Sequence, residues 1–134
     1  MTSATSRARA AVVELRAVDR AADAEFLLRV YAGTRTEELA VAPWTDAELD
    51  AFLRMQFDAQ DRSYREQRPA AAFDVIVVDG APAGRLYVDR LADEIRIVDI
   101  ALLPEHRGRG VGTLLIRRVL DEGGETGRPV TIHV

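Results

Sequence analysis

The sequence predicts a single α/β domain, and three observations carry that prediction. The chain has 134 residues, one domain's length, with 48% hydrophobic and 30% charged residues, a balance that can bury a core. Short Val- and Ile-rich runs of strand length alternate with longer stretches of helical periodicity. A glycine-rich loop, Arg107-Gly108-Arg109-Gly110-Val111-Gly112, joins the most apolar of those runs to a helix.

In chain order, residues 1–10 are small and polar, and disorder is expected there. Val12 to Val18 reads as a first strand. Asp19 or Asp23 stands where a helix cap belongs, and the helix runs to about Glu38 on a stripe of Phe26, Leu27, Val30 and Tyr31. Residues 39–44 form a loop carrying Trp44. Thr45-Asp46-Ala47-Glu48 is a capping box that opens a second helix, to about Arg65, with Pro69 closing the segment. On that helix Phe52, Gln56, Gln60 and Tyr64 recur at every fourth position and share one face. Val75 to Asp79 and Gly84 to Asp89 read as a hairpin around Gly80-Ala81-Pro82. Ala92-Asp93 turns into a strand over 94–103, so apolar that burial on both faces is expected. Pro104 ends it. A helix over 111–122 places Val111, Leu114, Leu115, Val119 and Leu120 at helical spacing. Gly123-Gly124 and Gly127 are expected to break the chain, and Pro129 to His133 reads as a last strand.

Bulk properties exclude several classes. A net charge of −4 argues against binding that rests on neutralising nucleic-acid phosphates. All basic residues are arginine, which reads as a compositional habit. No apolar run is long enough to span a membrane, and Met1 to Arg9 lack the apolar centre of a secretory signal, so a cytoplasmic location is expected. The absence of cysteine excludes disulfides, zinc thiolates and a cysteine nucleophile. His106 and His133 fall in different elements, so no metal site is expected.

The loop at 107–113 has a direct physical use. Glycines let the backbone bend and let a ligand approach closely. The first amides of a helix lack internal partners and sit at the positive end of its dipole. Such amides hold phosphate oxygens, and Arg107 and Arg109 add positive charge at the rim. Residues 107–113 therefore read as an anion cradle suited to a diphosphate. The spacing is neither GxxxxGK[ST] nor GxGxxG. It is Arg-x-x-Gly-x-Gly, at Arg107, Gly110 and Gly112.

With the preceding Ile100-Ala101-Leu102-Leu103-Pro104-Glu105-His106, this pattern resembles the acyl-CoA-binding motif of the GNAT superfamily of N-acetyltransferases. The order of elements matches that fold up to its fifth strand. The resemblance implies a mixed, mostly antiparallel sheet with helices on both faces. It implies coenzyme A in a gap where residues 94–103 and 129–134 splay apart. The pyrophosphate would lie on Arg107, Gly108, Arg109, Gly110, Val111, Gly112 and Thr113, and the pantetheine arm along Ala101, Leu102 and Leu103. Acetyl-CoA would be the co-substrate, and a small-molecule or peptide amine the acceptor. The family usually continues with a further helix, often carrying a tyrosine acid, and a final strand pair. Without them the last strand would be left as an open edge, inviting a homodimer or a partner protein; a longer chain of which this sequence is a fragment, or a loss of catalysis, are the other expectations. A non-catalytic module binding CoA or a partner through that edge is thus a second reading, and another phosphate-ligand binder a third.

Amine acetylation needs a base and a route for the thiolate to gain a proton. Asp99, inside the apolar strand beside the implied thioester, is the candidate base; its alternative roles are a bulge cap or a partner of Arg85 or Arg96. Tyr87 is the candidate replacement acid. Gln56 and Gln60 either contact substrate or pack on the sheet. Glu37 and Glu38 either attract an ammonium or stand in solvent.

Overall fold

The computed structural model describes residues 11–132. Strand β1 (Val13–Ala17) leads to helices α1 (Ala24–Leu39) and α2 (Asp46–Gln67). Strands β2 (Ala72–Val78), β3 (Ala81–Arg90) and β4 (Ile95–Leu102) follow, then a single 3-10 turn at Pro104–His106, helix α3 (Val111–Thr126) and strand β5 (Val130–Ile132). The sheet is ordered β1-β2-β3-β4-β5. The first three pairings are antiparallel and β4–β5 is parallel. A parallel pair needs a crossover, and α3 supplies it. The mixed, mostly antiparallel sheet expected from the sequence is therefore present.

Alternation along the strands sends side chains to two layers. Ile76, Leu86, Val88, Ile95 and Ile97 pack with Val111, Leu115 and Val119 of α3. On the other layer Leu27, Leu28 and Tyr31 of α1 pack with Phe57 of α2. The capping box forms as predicted: Thr45 Oγ1 accepts from the Glu48 amide at 3.1 Å, and Glu48 Oε1 accepts from the Thr45 amide at 2.9 Å. Asp23 occupies the N-cap position of α1 without capping it. Its carboxylate instead accepts both Arg16 guanidinium nitrogens at 2.8 Å. Asp19 caps the turn before the helix, through the amides of Ala21 and Ala22.

Four expectations need correction. The hairpin turn is Asp79-Gly80, both at positive φ (49° and 82°), which is the geometry a two-residue hairpin favours. Pro82 belongs to β3, opposite Val77 where the register shifts, a place that tolerates a missing donor. Helix α3 continues through Gly123-Gly124 and ends on left-handed Gly127. Gly123 serves contact, since a Cβ there would stand 2.7 Å from the Arg128 carbonyl oxygen and from Val130 Cγ2. Finally, β4 is fully buried only at Ile95 and Ile97. Parallel pairing with β5 covers Ile95–Ile97, and the rest of β4 is half-buried. His133, expected in the last strand, and residues 1–10 lie outside the described residues. Among the described residues no helix is long and apolar enough to cross a membrane.

Candidate active site

The short β4–β5 pairing creates the site. Beyond Ile97 no described strand covers that edge of β4. A cleft of about 900 Å³ opens there. Ile100, Ala101 and Leu102 form its floor, and Gly33, Thr34, Thr36, Glu37 and Glu38 of α1 form one wall. Arg107, Gly112, Thr113 and Ile116 form the other. The cleft thus gathers Ala101, Leu102, Arg107, Gly112 and Thr113, and brings Glu37 and Glu38 to the same space. Glu38 is paired there with Arg35 at 3.0 Å.

The loop entering α3 has the form of an anion cradle. Gly110 is the N-cap in the left-handed region (φ 81°), and Gly108 has φ 74°. Both conformations favour glycine. No side chain caps α3, and among the described residues the amides of residues 108–113 meet no acceptor. A Cβ added at Gly108, Gly110 or Gly112 would meet nothing within 4 Å, so the space over the amides is open. Leu103 and Val111 anchor the loop at its two ends: their side chains are buried in the core, and neither lines the cleft. Arg107 lines the cleft and is also a staple. Its Nε donates to the Leu102 carbonyl at 3.0 Å and its Nη2 to the Gly33 carbonyl at 3.2 Å, tying the loop to β4 and α1. Arg109 is exposed.

A second group of polar residues lies between α2 and the sheet, at the inner end of the open edge. Register shifts between Tyr87 and Val88 leave Val98 as an extra residue of β4, so Tyr87 faces Asp99 while Val88 faces Ile97. Asp99 Oδ2 accepts from Arg85 Nη2 at 2.7 Å and from the Tyr64 hydroxyl at 2.9 Å. Arg85 Nη2 also donates to Gln60 Oε1 at 2.8 Å. The Arg85 side chain is 3% exposed and that of Asp99 15%. Asp99 Oδ1 meets no donor among the described residues. The aspartate is therefore anchored through one oxygen and open at the other. Burial, reinforced by the neighbouring carboxylate of Asp99, pushes the Tyr64 phenol far above its ordinary value, so it stays protonated.

The glutamine stripe of α2 faces inward: Gln60 holds Arg85, and Gln56 Oε1 accepts from the Tyr31 hydroxyl at 3.2 Å. Tyr87 is almost wholly buried, edge-on to Phe73 (4.9 Å) and Tyr64 (5.9 Å). Its hydroxyl has no partner among the described residues, and burial raises its pKa. It does not line the cleft. The sequence offered Arg85 as a partner of Asp99, and that pair forms; what sequence reasoning missed is that Tyr64 and Gln60 join it. Its available signals were the i, i+4 spacing of Gln60 and Tyr64 and an arginine amid the apolar alternation of β3.

An α/β sheet with a free strand edge that leads into an uncapped helix start is built to hold an extended, anion-bearing ligand. A model of the acetyltransferase (GNAT) family matches residues 27–134, and the chain belongs to that family. It is similar to a mycothiol acetyltransferase of Nocardiopsis dassonvillei, 33% identical over 93 residues, a stretch that is 69% of this chain and 25% of that protein. The chain thus spans about a quarter of that relative's length. Among solved structures it resembles the PaiA N-acetyltransferase of Thermoplasma acidophilum in complex with coenzyme A, at 17% identity and a TM-score of 0.57 over 87% of this chain and 74% of that one. It also resembles a ribosomal-protein-alanine N-acetyltransferase of Brucella melitensis biovar Abortus 2308, at 19% identity and a TM-score of 0.55 over 92% and 80% of the two chains. At these identities the structural likeness establishes the shared fold.

Proposed function

We propose that this chain binds acetyl-CoA and transfers its acetyl group to a primary amine of a small molecule or peptide by direct attack within a ternary complex. The observation that carries this reading is the continuity of the free β4 edge with the uncapped start of α3. The amides of residues 108–113 receive the diphosphate. The open backbone from Leu102 back to Val98 pairs with the pantetheine arm, as an added strand would. Four residues of strand span about 13 Å, which brings the thioester to the Val98 bulge, beside Asp99.

An ammonium must first lose a proton to attack, and Asp99 Oδ1 is placed to take it. The amine nitrogen then bonds to the thioester carbon, the carbon–sulfur bond breaks, and sulfur leaves with the bonding pair. The amine gives up a second proton, and the thiolate gains one. Tyr64, protonated and within 2.9 Å of Asp99, is the donor suited to that last step, its phenolate recovers the amine's second proton, and the first proton leaves Asp99 for solvent. Tyr87, sealed beneath Tyr64, backs its ring and gives it a fixed direction.

The chain contains no cysteine, so thiol released from acetyl-CoA can be followed without background from the protein. Amine-dependent thiol release is expected, with kcat reduced about 100-fold in Asp99→Asn through loss of the base. A folded Asp99→Asn variant with undiminished kcat would remove Asp99 from the chemistry.

A further inference from the structure

Arg96 has chemistry that the acetyl-transfer reading leaves unused. It lies on β4 two residues before the bulge residue Val98. Together with Val98, Tyr64, Gln67 and Arg68 it lines a small cavity of about 210 Å³. That space lies on the α2 side of the sheet. The larger cleft takes Ile100, Ala101 and Leu102 of the same strand. Val98 in the one space and Ile100 in the other are two residues apart, about 7 Å along a strand. Asp99 stands between them.

Each carboxylate around this cavity holds another donor through one of its oxygens. Asp89 accepts from Arg68 Nη1 at 2.9 Å. Asp99 holds Arg85 and Tyr64. Glu94 takes the Thr131 hydroxyl at 2.6 Å, and its closest approach to Arg96 is 3.8 Å, beyond a hydrogen bond. Arg96 donates to no acceptor among the described residues, and its Nε is buried without a partner. A half-buried guanidinium in that condition lacks the planar two-oxygen acceptor its donor geometry fits. Leaving a buried donor unpaired carries a desolvation cost that a bound anion would remove.

Resting on the acyl-donor reading above, we propose that this cavity binds the carboxylate of the acceptor, so that the substrate class is small primary amines bearing a carboxylate a few atoms away. The carboxylate sits on Arg96, with Arg68 and Gln67 as further donors. The amine then falls at Asp99 Oδ1, facing the thioester end of the cleft. A volume of about 210 Å³ suits a group the size of an amino acid and not a long chain. Charge complementarity also sets selectivity: the Arg96 guanidinium, held only in a loose 3.8 Å ion pair with Glu94, disfavours a second ammonium there, so diamines are disfavoured.

The test compares glycine, L-alanine and L-valine with methylamine, ethylamine and isobutylamine as acceptors in the thiol-release assay. 2-Aminoethyl phosphate provides a phosphate-bearing comparison. Carboxylated amines are expected to exceed their partners in kcat/KM by about tenfold or more, mainly through KM. Arg96→Met keeps the side-chain volume and is expected to collapse that ratio toward one, while acetyl-CoA affinity by calorimetry persists. Equal kcat/KM for the two sets, or an unchanged ratio in Arg96→Met, overturns the carboxylate site. A phosphate preference over carboxylate likewise overturns the carboxylate assignment. If no acceptor turns over, calorimetric titration of the same amines into the CoA-saturated chain decides: no selective binding of the carboxylated set overturns the site. Failure of acetyl-CoA itself to bind is a separate result, and it strikes the acyl-donor reading.

Discussion

Asp23 shows how a single residue's role depends on its partners. Its position fits a helix cap, but its side chain grips Arg16 through two 2.8 Å bonds and accepts the Asp19 amide as well. The Arg16 hydrogen bonds hold its carboxyl below the ordinary carboxylate range, against the opposing effect of burial. A depressed native value means the unfolded chain takes up a proton first as pH falls. The stabilisation is therefore complete above the unfolded value and lost through the native one. Asp23→Asn is expected to cost about 1–2 kcal/mol at pH 7. The gap to the parent protein should close as pH falls below about 4, as denaturant melts at several pH values would register. A gap that stays constant to lower pH would show that the charge on Asp23 contributes nothing. At this same scale Asp99 was legible as an aspartate in an apolar strand with Arg85 as one possible partner, and that pair forms, but Tyr64 was not legible as its second partner. Nothing local in the sequence says that Tyr64, on a helix, joins Arg85 on the same carboxylate oxygen.

At the scale of elements, legibility followed periodicity. The capping box and the buried stripe of α3 could be read directly, because each is set by neighbours a few residues away. Gly123-Gly124 misled, because glycine is a weak helix former in isolation. Contact with the chain's return toward β5 outweighs that preference. This gives a test with opposite signs. Helix propensity alone predicts that Gly123→Ala stabilises the chain by about 0.5–1 kcal/mol. The 2.7 Å approaches to the Arg128 carbonyl oxygen and Val130 Cγ2 predict a loss of about 1–3 kcal/mol instead, with a lower melting temperature. A stabilised variant would mean that α3 and β5 have room to separate. The extent of β4 burial was equally hidden. A run of Ile and Val describes a strand that is apolar, whereas its exposure past Ile97 depends on where β5 stops pairing.

At the scale of the whole molecule, the antiparallel strands and the crossover helix have one functional consequence. They place a free strand edge, a glycine-lined helix start and an anchored aspartate along a single line. The proposed cradle was visible in sequence as Arg107, Gly110 and Gly112, but the bonds by which Arg107 holds β4 and α1 together were not. The arginine cavity at the other end of that line depends on α2 lying over β4, which no spacing encodes. The proposed acetyl transfer depends on the cradle and open edge holding acetyl-CoA. Gly112 offers the cleanest probe, since it lines the cleft, has no positive φ and leaves a Cβ open space. A glutamate there adds bulk and negative charge over the phosphate amides with no demand on the backbone. Calorimetric titration of the parent chain and Gly112→Glu with acetyl-CoA is the decisive measurement. One-to-one binding by the parent, weakened about 100-fold or more in the equally stable variant, is expected. Equal affinity in the two chains, or none in a folded parent, would contradict the proposed binding.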